Sequence, residues 1–450
     1  MNDTICAIST TLGVGAISIV RVVGNDAINI VNKITDINLK SKKTHTINYA
    51  HIKYKNEIID EVLIMLMKAP KTYTTLDTVE INCHGGINTT NKILEILLDM
   101  GCRLAEPGEF TKLAYLNGRI NLLEAESVND LIVASTDAAR TLAINNVDGL
   151  LTKKIKNIRE KLVKILANIE VNIDYPEYTD EVIVTNNLMK EYLVDINKEL
   201  TKIVNDSKNG RLIKEGINIA IIGRPNVGKS SILNHLLDEE KAIVTSIPGT
   251  TRDIVEGSIT LNGIAINFID TAGIRKSDDI VEQIGVKKSK TAANNADLIL
   301  LVLNNNELLT KEDKELIKKY DNKNLLILIN KNDLEDKLVL PSDIKSKVIY
   351  GNTIDLNGLD SLKNTIIDYF SINKIVTKDM SYLSNVRQID LINKANKSIK
   401  NVTNSLKDDM PIDLVEIDLK EAWEYLGQII GDIYDDELVD QIFANFCLGK

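Results

Sequence analysis

A glycine-rich loop in the middle of the chain has the residue types and the spacing that bind a nucleoside triphosphate. Residues 223–230 read Gly-Arg-Pro-Asn-Val-Gly-Lys-Ser and fit the pattern G-x-x-x-x-G-K-[ST]. The apolar, β-branched run Ile217–Ile222 precedes the loop, and apolar residues recur at helical spacing over 231–237. A strand, a tight loop and a helix in that order let backbone N–H groups surround phosphate oxygens. We therefore predict a phosphate-binding loop in which Lys229 reaches the outer phosphates and the Ser230 hydroxyl binds Mg²⁺.

Two later segments carry the other signatures of a nucleotide site, and each follows an apolar run that is typical of a strand. Residues 270–273 read Asp-Thr-Ala-Gly; the acid can hold the Mg²⁺ shell, and the glycine lets the backbone approach the γ-phosphate. Residues 330–333 read Asn-Lys-Asn-Asp, the N-K-x-D pattern of guanine-binding proteins. The carboxylate of Asp333 would accept from the N1 and N2 hydrogens of guanine and would stay unpaired beside adenine. The sequence therefore predicts GTP and not ATP.

A loop between the first two motifs has the composition of a γ-phosphate-sensing switch. Residues 245–253 read Thr-Ser-Ile-Pro-Gly-Thr-Thr-Arg-Asp, and Thr251 or Thr250 could complete Mg²⁺ coordination only when the γ-phosphate is present. A plain surface turn is the alternative. Ras-like GTPases follow D-T-A-G with a glutamine that orients the attacking water, but this chain has Ile274. Another group must therefore position the water, and no arginine finger can be assigned from the sequence.

The hydropathy pattern divides the chain into regions of three kinds. Residues 1–118 read as mixed α/β, with strand-like runs and an amphipathic helix. Residues 119–212 read as long amphipathic helices with a break at Pro176, and 373–450 are helical again. Between them, 213–372 alternates strands and helices as a doubly wound, mostly parallel sheet requires. We predict an N-terminal α/β domain, a discontinuous helical domain, and a P-loop GTPase domain inserted into the helical one.

The composition favours a soluble chain that stays in the cytoplasm. Of the 450 residues 44% are hydrophobic and 26% are charged, and the longest apolar run, 298–303, has the length of a strand, so we predict no membrane helix. The first residues lack a basic segment, and we read neither a signal nor a transit peptide there. The four cysteines form no C-x-x-C pair, which favours neither disulfides nor zinc; Cys6, Cys83 and Cys102 are predicted to be buried.

The net charge of -10 bears on any nucleic-acid partner. Non-specific affinity for nucleic acids depends on Lys and Arg side chains that neutralise phosphates, so the charge argues against a general nucleic-acid coat. An RNA partner must then be met by a local basic patch, or with the help of another protein.

The regions that flank the GTPase motifs resemble those of the MnmE (TrmE) family of tRNA modification GTPases. Residues 105–111 read Ala-Glu-Pro-Gly-Glu-Phe-Thr, and residues 117–119, Asn-Gly-Arg, continue toward a helix that begins near Leu122. This stretch is similar to the family's P-G-E-F-T signature. Residues 446–450, Phe-Cys-Leu-Gly-Lys, resemble the family's F-C-I-G-K ending. The resemblance covers essentially the full length of the chain.

The resemblance implies a homodimeric GTPase that is stimulated by K⁺ and by pairing of its GTPase domains. In such proteins the asparagine of the phosphate loop, Asn226 here, holds K⁺ together with Thr245, Ile247 and Thr250. The ion would supply the positive charge that an arginine finger otherwise brings. The resemblance also assigns the orientation of the attacking water to Glu282. Without the family, Glu282 would be one more charge on a solvated helix face.

The resemblance further implies that the N-terminal domain binds folate and dimerises. The matching positions are Arg21, Glu80, Arg119 and Lys450. A carboxylate suits the amide and amine edges of a pterin, and Arg or Lys suits a carboxylate of the folate. Cys447 either takes part in the modification chemistry or packs against the N-terminal domain.

The activity that the resemblance implies is a modification of tRNA. The chain would act with the flavoprotein MnmG (GidA), in a heterotetramer-like complex, to add an aminomethyl or carboxymethylaminomethyl group to C5 of the wobble uridine of certain tRNAs. The carbon would come from a 5-formyl or 5,10-methylene tetrahydrofolate, and the other cofactors would be GTP, Mg²⁺ and K⁺. GTP hydrolysis would open and close the paired GTPase domains.

Two other functions are kept as alternatives. A ribosome-assembly GTPase of the Era or Der kind shares the apolar residue at position 274, but Era proteins have a KH domain and Der proteins a second phosphate loop, and the sequence shows neither. A dimerising scaffold that switches with nucleotide and has no chemistry of its own would leave tRNA unmodified.

The sequence also departs from the family's usual pattern at three places. Gln388 follows Arg387 where a histidine is usual, and Asn121 stands in place of an aspartate. Residues 352–354, Asn-Thr-Ile, replace the Ser-Ala segment that normally backs the guanine base, so the contact of this segment with guanine is open.

The predicted GTP site draws on the three motifs and the switch loop. Catalysis is assigned to Glu282, Thr251 and Lys229, and Mg²⁺ to Ser230 and Thr251. The residues predicted to bind GTP are Asn226, Val227, Gly228, Lys229, Ser230, Ser231, Thr245, Thr250, Thr251, Asp270, Thr271, Ala272, Gly273, Asn330, Lys331 and Asp333.

We expect Glu282→Ala to keep its affinity for GTP and to lose most of the turnover, because the change removes the group that would orient the attacking water and no contact to phosphate or base. Equilibrium binding of a fluorescent GTP analogue and steady-state phosphate release measure the two quantities. Weakened binding with normal turnover would instead mark Glu282 as a structural residue.

Overall fold

The computed structural model of the protein describes residues 3–174, 179–239, 257–270, 293–321, 324–408, 410–433 and 435–449. Within these ranges it describes only the backbone of residues 172–174, 179–188, 190, 239, 270, 412 and 413. The chain forms two compact units. The first comprises Met1–Asn129, Val147–Ile196 and Lys397–Lys450, and the second comprises Asp130–Asn146 and Asn197–Asn396.

The N-terminal part of the first unit is built on a six-stranded sheet. Its strands are β1 (Ile5–Ile8), β2 (Ile17–Val23), β3 (Thr46–Tyr54), β4 (Glu57–Met67), β5 (Thr78–His84) and β6 (Arg103–Leu104), in the spatial order β3-β4-β5-β2-β1-β6. β1 and β6 pair in parallel, and the other neighbours are antiparallel. Successive side chains of a strand point to opposite faces. Val20 and Val22 are buried on one face of β2, which places Arg21 on the other.

Helices pack on both faces of this sheet. α1 (Ala27–Lys33) and α2 (Ile87–Asp99) bury apolar residues in one core with alternate residues of the strands. α3 (Glu109–Leu116) places Phe110 in a second, smaller cluster with Ile5 and Val23 on the opposite face. The strands and the helix predicted between residues 1 and 118 are confirmed.

Long helices follow, as the sequence predicts. They are α4 (Leu122–Val133), α5 (Asp137–Val147), α6 (Leu150–Asp174) and α7 (Thr179–Glu215). The predicted break at Pro176 falls on residues 175–178, which lie outside the described residues between α6 and α7. Buried residues recur along α6 at the spacing of Ile155, Ile158 and Leu162, which is the apolar stripe of an amphipathic helix.

The second unit contains the predicted doubly wound sheet. Its strands are β7 (Ile217–Ile222), β8 (Gly257–Leu261), β9 (Ile264–Asp270), β10 (Leu298–Asn304), β11 (Leu325–Asn330) and β12 (Lys347–Gly351), in the spatial order β12-β11-β10-β7-β9-β8. β8 and β9 are antiparallel, and the other neighbours are parallel. Parallel strands end at one edge of a sheet. The motifs that follow β7, β9 and β11 therefore begin at the same edge.

Both faces of this sheet are buried. Leu298, Leu300 and Val302 of β10 belong to one apolar cluster, and the alternate residues Ile299 and Leu301 belong to another. The helices of this segment are α8 (Lys229–Glu239), α9 (Lys311–Tyr320), α10 (Asp360–Tyr369) and α11 (Ile372–Ile375). α8 and α10 contribute to the first cluster and α9 to the second. Burial on both faces explains why these strands read as continuous apolar runs.

Residues that precede the phosphate loop complete the first of these two clusters. Ala138, Ala139 and Leu142 of α5 lie in the same core as β10. The side chain of Asn145 donates to the carbonyl oxygens of Lys378 and Met380, at 3.1 and 2.8 Å. The second unit is thus closed by a helix that lies far upstream in the sequence.

The predicted C-terminal helices are also present, as α12 (Val386–Lys407), α13 (Ile412–Ile430) and α14 (Asp436–Phe443). α13 packs on α6, where the guanidinium carbon of Arg159 lies 4.4 Å from the ring centre of Trp423. Arg159 also forms an ion pair with Asp432, just beyond α13. In the part of the chain that the structure describes, the helices are too short or too polar to span a membrane.

Candidate functional site

The phosphate-loop motif forms the turn between β7 and α8, as predicted. Gly223 has a φ of 143°, and a Cβ atom there would lie 2.5 Å from the carbonyl oxygen of Val302, so the neighbouring strand leaves no room for a side chain. Asn226 also has a positive φ, 64°, which asparagine adopts more readily than most residues. These two positions let the backbone curl as a phosphate-binding loop requires.

Lys229 is the first residue of α8 and is only 8% exposed. Its Nζ donates to the carbonyl oxygens of Gly223 and Arg224, both at 2.7 Å. The ammonium group is thus held against the start of the loop and near a helix N-terminus, where the helix dipole favours an anion. The side chains of Ser230 and Ser231 are exposed in the first turn of α8, so their hydroxyl groups are accessible to a phosphate or a hard cation.

The side chain of Asn330 joins the N-K-x-D motif to the phosphate loop. Asn330 is 2% exposed at the end of β11, and its Nδ2 donates to the carbonyl oxygen of Val227 at 2.9 Å. Gly228 has a φ of 102°, and a Cβ atom there would lie 2.2 Å from the same Nδ2. Lys331 directs its Nζ to the carbonyl oxygen of Asn226 at 3.4 Å. The two motifs therefore form one compact site, although Asn330 and Val227 are 103 positions apart in the sequence.

The loop after β12 lies beside the N-K-x-D motif. Asn352 is 5% exposed, and its Nδ2 donates to Oδ1 of Asn332 at 2.8 Å. Its Oδ1 accepts from the backbone N–H groups of Ile354 and Asp355, at 3.0 and 2.9 Å. Asp333, which is predicted to read guanine, has an exposed side chain next to this contact. The Asn-Thr-Ile segment therefore adjoins the guanine motif despite its unusual residues.

Arg224 makes contacts that the sequence did not reveal. Its Nη2 donates to Glu307 at 2.9 Å, and its Nε donates to Asp313 at 3.0 Å. The hydrogen bond between Arg224 and Glu307 raises the pKa of the guanidinium and lowers the pKa of the carboxyl. Asp313 in turn accepts from the Thr310 hydroxyl at the start of α9, at 2.8 Å. Arg224 ties the phosphate loop to α9, and no motif spacing in a single sequence signals such a pair.

Several predicted residues lie outside the described part of the chain. Asp270 is described through its backbone, which pairs with Ile221 beside the phosphate loop. The others are Thr245, Ile247, Thr250, Thr251, Thr271, Ala272, Gly273, Ile274, Glu282 and Lys450. Their roles in Mg²⁺, K⁺ and folate binding and in catalysis stay predictions.

In the first unit, Arg21 and Glu80 form a cross-strand ion pair. They are register partners on β2 and β5, and Nε of Arg21 donates to Oε1 of Glu80 at 2.8 Å, with the side chains 19% and 14% exposed. The Arg21 guanidinium carbon also lies 5.3 Å from the ring centre of Phe110, and Nη1 donates to the carbonyl oxygen of Gly449 at 3.2 Å. Two residues predicted to bind folate thus lie together, next to the residue that precedes Lys450.

The C-terminal residues form hydrogen bonds with the N-terminal region. The carbonyl oxygen of Gly449 also accepts from the Ser9 hydroxyl at 3.1 Å, and the N–H of Gly108 donates to the carbonyl oxygen of Cys447 at 3.3 Å. Gly449 has a φ of 87°, and a Cβ atom there would lie 2.4 Å from the carbonyl oxygen of Ile8. Cys447 is exposed, whereas the other cysteines are buried as predicted: Cys6, Cys83 and Cys102.

Arg119 lies in a groove of the first unit. Its guanidinium carbon is 4.8 Å from the ring centre of Tyr73, and both residues line a groove of about 590 Å³ together with Lys71. Arg21 and Glu80 are not among the described residues that line this groove. The described structure therefore does not bring Arg119 into one cavity with Arg21 and Glu80.

Known proteins are similar to the whole chain. A family model described as the GTP-binding protein TrmE N-terminus matches residues 4–119, and a model described as the MnmE helical domain matches residues 122–447. The tRNA modification GTPase MnmE of Streptococcus thermophilus is 50% identical over 450 residues, which cover 100% of this chain and 98% of that protein. The chain belongs to the MnmE family. The MnmE of Bacillus cytotoxicus is 49% identical over 455 residues and is covered to 99%.

Membership in the MnmE family confirms the resemblance that the flanking motifs indicated. The P-loop GTPase fold of the region between the two helical segments is confirmed with it. Among solved structures, the G domain of the T. maritima FeoB iron transporter is 25% identical, covers 34% of this chain and 98% of that chain, and has a TM-score of 0.27.

Two of the departures from the usual MnmE pattern have identifiable surroundings. Asn121 caps α4, because its Oδ1 accepts from the N–H of Glu124 at 2.9 Å while Glu124 accepts from the N–H of Asn121 at 3.1 Å. Asparagine is as good as aspartate at an N-cap position, so this exchange keeps the capping contact. Gln388 is 4% exposed on α12 and is therefore part of the helix's buried side.

We expect Asn330→Ala to weaken GTP binding by about tenfold or more, because it removes the hydrogen bond that fixes Val227 of the phosphate loop. Asn332→Ala is the matched control, since Asn332 lies in the same motif with an exposed side chain and contacts Asn352. Titration of each variant with a fluorescent GTP analogue measures the affinity, and thermal unfolding verifies that both variants fold. Equal affinities of the two variants would show that the Asn330 bond does not organise the loop.

Proposed function

We propose that this MnmE-family protein hydrolyses GTP and, together with the flavoprotein MnmG (GidA), adds an aminomethyl or carboxymethylaminomethyl group to C5 of the wobble uridine of tRNA. The observation that carries the proposal is the contact between Asn330 and Val227, which unites the guanine and phosphate motifs in a chain of this family. The relatives that match nearly their whole length are named tRNA modification GTPases.

The described residues support separate roles in GTP binding. Lys229, held at the start of the loop, would neutralise the outer phosphates, and the exposed Ser230 hydroxyl would bind Mg²⁺ with Thr251 of the switch loop. Asp333, with an exposed carboxylate, would accept from the guanine N1 and N2 hydrogens. Mg²⁺ held by Ser230 and Thr251 would neutralise the charge that develops on the phosphates during hydrolysis.

The surroundings of the phosphate loop support K⁺ as the activating cation. The side chain of Asn226 is exposed, so its amide oxygen is accessible to a cation. Arg224, the arginine of the same loop, is engaged with two carboxylates and is not positioned to act as an arginine finger. K⁺ held by Asn226 and by oxygen atoms of residues 245–250 would supply the missing charge, and Glu282 would orient the attacking water.

The ion pair of Arg21 and Glu80 supports a folate site. A tetrahydrofolate derivative, 5-formyl or 5,10-methylene, would present its pterin edge to the carboxylate and its own carboxylate to Arg21, Arg119 or Lys450. The hydrogen bond from Arg21 to the carbonyl oxygen of Gly449, the residue before Lys450, supports a role for Lys450 in this site. Cys447 has an exposed thiol, which is open to a role in the modification chemistry.

An exposed apolar face supports a homodimer formed through the N-terminal sheet. Tyr49 of β3 and Leu63 of β4 are register partners, and Ile47 lies two residues along on the same face. These side chains are 58%, 46% and 64% exposed, in the order named. Contiguous exposed apolar residues of this kind mark protein interfaces. The homodimer would act in the cytoplasm with MnmG and tRNA.

Mass spectrometry of wobble nucleosides tests the proposed function. In tRNA from cells that lack this protein we expect the C5-modified wobble uridine to be absent, and we expect the wild-type gene to restore it. A ribosome-assembly GTPase of the Era or Der kind would leave these nucleosides unchanged. A nucleotide-switched scaffold without chemistry of its own would also leave these nucleosides unchanged.

We expect K⁺ to raise the rate of GTP hydrolysis about tenfold or more over Na⁺ at equal ionic strength, because the ion would supply transition-state charge. Asn226→Gly is the informative variant, since glycine keeps the positive φ of this position without strain and removes the amide oxygen. The variant should bind GTP normally and hydrolyse it at equal rates in the two salts. Equal rates for the wild-type protein would refute the K⁺ site.

A further inference from the structure

The C-terminal half of α12 presents a line of basic and amide side chains to solvent. This lysine stripe consists of Lys397, Lys400, Asn404 and Lys407, and all four side chains are exposed. The residues are separated by three, four and three positions, which places them on one side of the helix. The opposite side is apolar and includes Ile399 and Val402, both fully buried. Ten residues of α-helix span about 15 Å, so the stripe is a continuous line of donors of that length.

Acidic residues do not interrupt this stripe. The sequence from Lys397 to Lys407 contains no aspartate or glutamate, and the next acid, Asp408, follows at the helix end. Two acids of α13 form hydrogen bonds with residues of α12 that are not part of the stripe. Asp418 accepts from Asn401 at 3.3 Å, and Glu421 accepts from the Ser398 hydroxyl at 3.2 Å. Because successive helix residues are about 100° apart, Asn401 lies at the edge of the exposed face that is away from Lys400 and Lys407, and Ser398 is buried beyond that edge. The stripe therefore keeps a net positive charge.

Other lysine-rich helices of the chain differ in this respect. The exposed lysines of α6 share their face with Glu160 and Glu170, and those of α9 alternate with Glu312 and Glu315. Mixed signs of this kind are typical of a solvated helix surface.

The chemistry of the stripe fits a nucleic-acid backbone better than a protein. Lysine and asparagine are among the side chains that bind phosphate and sugar oxygens. Protein interfaces, in contrast, are depleted in lysine, and their strongest contacts come from Trp, Tyr and Arg, none of which occurs in residues 397–407. Apolar anchors are also missing from this line of side chains. We propose that the lysine stripe contacts the phosphate backbone of the tRNA substrate.

This proposal rests on the proposed function, which requires tRNA, and it adds the surface on which tRNA is held. The chain has a net charge of -10 and would repel a polyanion in general. A short positive line gives attraction at one place and directs the approach of the RNA. Contacts to phosphate carry little sequence information. The stripe would therefore set the position of the tRNA, and recognition of the wobble base would come from other residues.

The test uses the full-length protein and a fluorescent tRNA transcript. In the triple variant Lys397→Gln, Lys400→Gln and Lys407→Gln, we expect tRNA affinity at low salt to fall about tenfold or more, and the slope of log K against log salt to fall by about two to three. Fluorescence anisotropy titrations between about 50 and 200 mM salt measure both quantities. Replacing the same lysines by arginine keeps the charge and should keep the affinity.

The matched control removes as many lysines from a helix that carries acids. In Lys311→Gln, Lys314→Gln and Lys318→Gln on α9, we expect wild-type tRNA affinity and salt slope. Neither triple variant should change basal GTP hydrolysis. If the wild-type protein binds tRNA and the α12 variant binds it equally well, the proposed tRNA contact of the stripe is wrong. That result would leave the proposed function standing and would favour an acidic protein as the partner of the stripe. If the wild-type protein has no measurable affinity for tRNA, the proposed contact is wrong as well. The proposed function has its own test, because it is wrong if wobble nucleosides are unchanged in cells that lack the protein.

Discussion

The hydrogen bond from Asn330 to the carbonyl oxygen of Val227 is the constraint on which the nucleotide site depends. The motif that is predicted to recognise guanine follows β11 and the phosphate-loop motif follows β7, with β10 between these two strands. The loops can meet because the three strands are parallel and end at the same edge. Gly228 leaves the space that Asn330 fills, so the two residues are fitted to each other. The distance between the N-K-x-D motif and the phosphate loop is therefore set by the spacing of the strands in the sheet and not by the loops themselves.

A single residue connects the phosphate-loop strand with the longest described helix. α7 ends at Glu215 and β7 begins at Ile217, with Gly216 between them. Gly216 has a φ of 81°, and a Cβ atom there would lie 2.7 Å from the carbonyl oxygen of Ala265 on β9. Glycine at this position ends the helix and allows the close approach of β9. The strand that leads into the phosphate loop is thus continuous in sequence with the helical region, without a flexible linker.

The sequence predicts the features that are set by a local pattern of residues. It does not predict contacts between residues that are distant in the chain. The phosphate loop and the N-K-x-D turn are confirmed, because each is set by a few adjacent residues. The ion pairs of Arg224 and the packing of α5 into the core of the second unit were not predicted, since their partners are separated by tens to hundreds of positions. The contact of Arg21 with Gly449 spans 428 positions and was not predicted, although the family resemblance implied one folate site for Arg21 and the neighbouring Lys450.

An acidic chain that binds polyanions must concentrate positive charge at defined places. For GTP, Lys229 would do this. Its ammonium is largely buried and is held by two carbonyl oxygens at a helix N-terminus, so little reorganisation would be needed for phosphate to replace those contacts. Arg224 lies in the same loop, but its charge is neutralised by Glu307 and Asp313 and contributes to the scaffold instead. Two basic residues separated by five positions thus serve different purposes. Their carboxylate and carbonyl partners, and not their own chemistry, decide which of them remains available to a ligand.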